Sequence, residues 1–272
     1  MLQAYSAVVN VLIGAGFGAF FAAIFVVQAV ALECGFRVGQ RHVARKGIQD
    51  TAGVSALTAG MLGLLGFTLG LTISFAQARF EARRSSVLTE ANAIGTAWLR
   101  ASLLDDQAAR QLRQQIESYA RIRLAFAEAQ DRAEAARQIT RSDAAQTTMW
   151  SLASVAARAT PTPISASVIS AMNTMIDAAQ SQRFTFASEV PAEVGEMLLA
   201  GSVLALGAVG YLLGLDGQRR LGLTSLMLAM WAGGIAVTAD LSSPRIGQIR
   251  ATSAPLVWTI QGFSNSPMPS TR

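Results

Sequence analysis

The chain has 272 residues, of which 51% are hydrophobic and only 14% charged, with a mean hydropathy of +0.37. A soluble domain carries about 25% charged residues, so the composition points to a membrane protein. Net charge is +5, but the basic residues flank hydrophobic blocks and are not interleaved with aromatics, which argues against nucleic acid as a partner.

One cysteine, Cys34, rules out an intrachain disulfide. With one histidine, His42, it also leaves no basis for a zinc or catalytic centre built on His/Cys clusters. No P-loop and no dinucleotide fingerprint is present, so no metal and no cofactor is expected. Of 22 basic residues only Lys46 is not Arg, which we read as the codon usage of a GC-rich bacterial genome.

The first hydrophobic block runs from Val8 to Leu32 without a charge. A hydrocarbon core of about 30 Å takes about 20 helical residues, so this is a span. It is too long, and lacks the basic start, for a secretory signal. A second block, Val54 to Ala76, ends at Gln77, Arg79 and Glu81.

Residues 77–190 are polar and read as helix nearly throughout. Phe80, Val87, Leu88, Ala91, Ile94, Gly95, Trp98 and Leu99 recur at three- and four-residue spacing, so the second span continues out of the membrane. Asp105 and Asp106 begin another helix, with Leu112, Ile116, Tyr119, Ile122 and Phe126 on its apolar face. A third is expected from Asp131 to Arg158, with Trp150 inward. Pro161 and Pro163 interrupt the chain. A fourth runs from Ile164 to Arg183, with Ile169, Met172, Met175, Ile176 and Ala179 inward.

Pro191 begins the return to the membrane. The third span is Met197 to Leu215 and the fourth Leu221 to Leu241, with Asp240 at its end. Five residues, Asp216 to Arg220, separate them and force an antiparallel hairpin. The tail after Arg250 carries no clear signal, and its Ser, Pro and Asn content reads as disorder from about Ser264. The expected fold is an all-α integral membrane protein with four transmembrane helices in two hairpin pairs plus an extramembrane helical bundle. Its divisions are 1–76, 77–190, 191–241 and the tail 242–272.

Glycines four apart mark helix-packing faces: Gly14 and Gly18, Gly66 and Gly70, Gly210 and Gly214. They fit close packing within the four helices, or packing of the second span against copies of itself. The ionisable groups sit at the edges of the spans, Asp240 at the very end of the fourth, and their absence at mid-membrane argues against a proton-coupled transporter.

The stretch Leu62 to Leu103 contains RFEARR (Arg79 to Arg84) and EANAIGTAWLRA (Glu90 to Ala101). With GFRVGQR (Gly35 to Arg41), MNTMID (Met172 to Asp177) and ADLSSPRIGQIR (Ala239 to Arg250), it resembles the bestrophin-like domain family of bacterial membrane proteins, whose function is unknown. The motif residues carried over are Arg79, Glu81, Arg83, Glu90, Asn92, Asn173, Asp177, Asp240 and Arg245. LGLTISF (Leu69 to Phe75) followed by EARR (Glu81 to Arg84) is more distantly similar to the neck helix and its exit in the bestrophins, pentameric anion channels in which the second of four membrane helices lines a narrow hydrophobic neck. That resemblance implies a homo-oligomer in the lipid bilayer, small anions as permeant partners, and Phe67, Leu71 and Phe75 as pore-lining candidates. Packing against lipid or another helix is the plainer reading of those three. The aromatic pair that bacterial bestrophins carry before EAR is Arg79 and Phe80 here. Acidic clusters for calcium are not evident, so no calcium site is carried over.

Two functions follow. One is an oligomeric anion-permeable channel of the bacterial inner membrane. The other is a non-conducting scaffold or sensor whose helical segment binds a protein. An enzyme is not expected, since no nucleophile–base pair is visible. Orientation stays open. Arg37, Arg41, Arg45 and Lys46 follow the first span and no basic residue precedes it, which favours an outside N-terminus. The bestrophin layout puts residues 77–190 in the cytoplasm.

Overall fold

A computed structural model describes residues 16–47, 51–104, 106–188, 191–245 and 247–265. It is all-helical: α1 Phe17–Lys46, α2 Ala52–Ala101, α3 Asp106–Glu128, α4 Arg132–Ala159, α5 Pro163–Ala187, α6 Ala192–Asp216, α7 Leu221–Ser242 and α8 Ala254–Asn265. Four of these, α1, α2, α6 and α7, are long and apolar enough to cross a membrane. The chain divides into two compact units. One comprises Met1–Arg79 with Glu189–Ile249, and the other Phe80–Ser188 with Arg250–Arg272.

In the first unit, α1 and α6 pack backbone to backbone. A Cβ at Gly35 would overlap the Gly207 carbonyl, and one at Gly39 the Tyr211 carbonyl. From the other side, Gly210 abuts the Leu32 carbonyl and Gly214 the Phe36 carbonyl. Helices in lipid gain no hydrophobic drive from meeting each other, so this close van der Waals approach is what holds the pair. It also explains why α1 does not stop where its apolar block stops at Leu32. The helix runs on to Lys46 because Gly35 and Gly39 still have α6 to pack on. The expected start at Val8, and Gly14 with it, lie outside the described residues.

Inside this unit Gln28 is fully buried and donates through Nε2 to the Ser202 hydroxyl at 3.2 Å. One apolar cluster joins Phe20 and Ile24 of α1 to Ala232, Ile235 and Ala236 of α7. Another joins Leu65 of α2 to Leu198 and Leu206 of α6 and Leu228 and Trp231 of α7. Gly217, in the left-handed conformation, closes α6 before the short turn into α7.

The second unit has a core of Val87, Ile94 and Trp98 from α2, Leu112, Ile116, Tyr119 and Phe126 from α3, Met149 and Ala153 from α4, and Met172 and Met175 from α5. Helix starts follow their caps. The Asp131 side chain accepts from the Glu134 amide at 2.6 Å, and Thr162 and Ser165 form a reciprocal capping box ahead of α5.

Two expectations fail here, and one apolar stripe proves narrower than its spacing. Trp150 is 38% exposed, because Gln146, Met149 and Ala153 form the buried stripe of α4 and Trp150 falls about 100° away from Met149. Leu88 and Leu99 are exposed for the same reason, lying off the line of Val87, Ala91, Ile94 and Trp98. The tail is not featureless: Ala254–Asn265 is helix and buries Leu256 and Phe263. Phe263 stacks on Trp98 at 5.0 Å, and the Thr259 hydroxyl reaches the Ala91 carbonyl at 3.3 Å. Ser264 therefore belongs to a helix, and residues after Asn265 lie outside the described set.

Candidate functional site

In the first unit α2 has two unlike sides. Leu65, Thr72 and Ala76 are buried, and Leu69 lies against Gly234 of α7. The hydroxyls of Thr68, Thr72 and Ser74 bond to carbonyls one turn back in α2 itself, so they need no partner helix. On the opposite side Leu57, Leu64, Phe67, Leu71 and Phe75 are exposed, Phe67 by 66% and Phe75 by 64%. Phe67, Leu71 and Phe75 share an arc of about 80°. Nothing in the chain covers them among the described residues. Arg79 stands one turn beyond Phe75 and is also exposed.

The glycine candidates behave differently from one another. Gly210 and Gly214 form the α1–α6 contact. A Cβ at Gly66 would lie 3.7 Å from the Trp231 ring edge, while one at Gly70 or at Gly18 would meet nothing within 4 Å among the described residues.

In the second unit the family motif goes inward. Arg83 is buried, and Glu81 is exposed beside Arg84 at 3.8 Å. Glu90 is fully buried and ion-paired with Arg123 of α3. The Arg123 guanidinium also donates to Gln182 Oε1 at 2.6 Å and to the Ser142 hydroxyl at 3.3 Å, and lies 4.5 Å over the Phe126 ring. Burial pushes the Glu90 carboxyl up, while Arg123 pulls it down. Nearby, Gln146 donates to the Tyr119 hydroxyl at 2.9 Å, and burial raises that phenol to about 12, against the pull of Arg123. Trp98 of the same motif donates to Glu117 at 3.0 Å and carries the Arg113 guanidinium 3.8 Å above its ring.

The remaining motif residues separate cleanly. Asn92, Asn173 and Asp177 are exposed. Asp240 is buried, and its carboxylate accepts from the amides of Gln248 and Ile249 at 2.9 and 3.1 Å. Gly247 makes that turn with φ of 120°, and a Cβ there would strike the Asp240 carboxylate. Within the motif ADLSSPRIGQIR, Asp240 near the end of α7 thus clamps the turn at Gly247. Arg245 lies within it, partly exposed.

Two groups of residues escaped the sequence reading. Arg123 sits on the apolar face of α3 between Tyr119 and Phe126, and a charge inside an apolar stripe was the available signal. Gly35 and Gly39 lay in a recognised motif at four-residue spacing, the same spacing used for the other glycine pairs.

No curated protein matches the chain. Among solved structures it is similar to a bacterial bestrophin homologue from Klebsiella pneumoniae, at TM-score 0.61 and 12% identity over 89% of this chain and 94% of that one. Two point variants of that homologue align at TM-scores 0.65 and 0.64, with 12% and 11% identity, over 89% and 92% of this chain and 95% and 99% of theirs. These likenesses show the fold. The bestrophin-like domain model matches residues 9–256, so with its four apolar helices the chain is a multi-pass membrane protein that belongs to the bestrophin-like domain family.

Proposed function

We propose that this protein is the subunit of an oligomeric, anion-permeable channel in the bacterial inner membrane, with α2 lining the pore. The observation that carries the reading is the uncovered arc of Phe67, Leu71 and Phe75 on a helix whose other side is packed on α6 and α7. Copies arranged about an axis would bring these arcs together as apolar rings. Such rings gate by dewetting, without a charged filter. Arg79, one turn past Phe75, supplies a ring of positive charge at one end, which favours anions. On this reading the protein catalyses no reaction.

The test is chloride flux in proteoliposomes of the purified protein. Leu71→Ala and Phe75→Ala widen the constriction and raise flux, and Arg79→Gln lowers the preference for chloride over sodium. Absence of flux from wild type and both widened variants, each eluting as a folded oligomer, removes the channel reading. That result would favour a scaffold that binds protein through Val155 and Phe184, exposed apolar side chains of the helical unit.

A further inference from the structure

The C-terminal end of α1 carries a surface cavity of about 350 Å³, lined by Val38, Arg41, His42, Arg45 and Lys46. The basic residues around it are not used in the same way. Glu33 takes Arg37 at 2.8 Å and both Arg219 Nη atoms at 3.0 and 3.1 Å. Arg41, Arg45 and Lys46 have no ion pair among the described residues. The negative end of a helix dipole amounts to roughly half an elementary charge, against three full positive charges here. The dipole alone therefore does not balance the cluster.

His42 is held in place from α6, where the Tyr211 hydroxyl lies 3.2 Å from its Nδ1. With that hydroxyl donating, the neutral ring carries its proton on Nε2, a further donor.

The cavity also has a continuation. Val27, Val30, Cys34, Val38, Arg41 and Arg45 follow one another at three- and four-residue steps and are all exposed. They form one stripe of α1, apolar as far as Val38 and cationic beyond it. From Val27 to Val38 the rise is about 16 Å. That is roughly half of a 30 Å hydrocarbon core, the depth of one leaflet.

We propose that this stripe and cavity bind an anionic phospholipid. The phosphodiester sits among Arg41, His42, Arg45 and Lys46, and an acyl chain lies along Val38, Cys34, Val30 and Val27. Guanidinium groups bind phosphate oxygens in a bidentate manner, and basic pockets beside membrane helices suit such headgroups. The apolar stripe selects a lipid over a free phosphate, which would have no use for it. The assignment holds whether or not α2 lines a conducting pore.

The experiment is lipid binding to the delipidated full chain in detergent, read by native mass spectrometry. Short-chain phosphatidylglycerol, phosphatidylcholine and inorganic phosphate are titrated in separate arms. Phosphatidylglycerol is expected to bind most tightly. Arg41→Ala and Arg45→Ala each weaken it about fivefold, the effect of one surface cation on an anionic lipid. Val38→Glu keeps both arginines, puts a carboxylate at the cavity mouth, and weakens it as well. Arg121→Ala, on the helical unit, leaves it unchanged. Equal affinity for the two lipids overturns the proposal, as does indifference to all three cavity substitutions in protein that elutes as wild type does. Inorganic phosphate binding as tightly as phosphatidylglycerol overturns it too, leaving a site for a free anion.

Discussion

Arg123 and Glu90 meet inside the helical unit, on α3 and α2, with both side chains withdrawn from solvent. A buried pair of this kind gains little over a well-packed apolar pair, because both ions lose their hydration. Removing one partner is another matter. Glu90→Ala leaves a guanidinium buried with only neutral acceptors, and is expected to cost about 3–5 kcal/mol. The double substitution Glu90→Leu with Arg123→Met should cost less than either single change. Chemical unfolding in detergent, followed by circular dichroism, checks both.

Tyr119 gives the same core an alkaline limit. Its phenol ionises at about 12 in the folded chain, against 10.0 for a free tyrosine. Its contribution is complete below pH 10. Between those values the unfolded chain has released a proton that the folded chain keeps, so stability falls as pH rises. The loss amounts to roughly 2–3 kcal/mol by about pH 12. Tyr119→Phe should flatten this part of the unfolding profile, while giving up about 1 kcal/mol near neutrality for the lost Gln146 bond.

The glycines of α6 and α2 should respond oppositely. Gly210→Val or Gly214→Val puts a side chain into the α1 backbone, and is expected to abolish a folded detergent-stable species on gel filtration. Gly70→Ala meets nothing within 4 Å among the described residues and should leave the fold intact. A change in assembly size confined to the Gly70 variant would place that face between subunits.

The turn after α7 depends on one carboxylate. Asp240→Ala removes the acceptor of the Gln248 and Ile249 amides, at about 0.5–1.5 kcal/mol for each bond, because water can reach these part-buried groups. Gly247→Ala forces a side chain into a backbone conformation of φ 120° and against Asp240. Both variants should show faster proteolysis between residues 243 and 250 than wild type.

Apolar block length and three-to-four spacing exposed much of this architecture, because both follow from helix geometry and bilayer thickness. Met172 and Met175 were placed inward on that basis, and they are buried. Where periodicity is shared by two candidate faces, as at Trp150, only the neighbouring helices decide which is covered. Arg123 was hidden by its own charge: a residue type that is nearly always solvated reads as surface until a partner such as Glu90 is found 33 positions away. Helix α8 was hidden for a different reason. Its twelve residues are too few for a periodic signal, and Phe263 becomes inward only because Trp98 offers it a ring to stack on. The α2 arc was visible as spacing, but its lack of cover among the described residues was not.

Cys34 is the single thiol of the chain, and it is exposed on the α1 stripe between Val30 and Val38. The wild-type protein therefore accepts one maleimide or nitroxide at one defined position, with no background to remove. A spin label there would sense oxygen and water-soluble nickel chelates differently according to whether acyl chains, a neighbouring protomer or solvent lies against it. That makes an unmodified sequence its own depth gauge for how this helix sits in a bilayer.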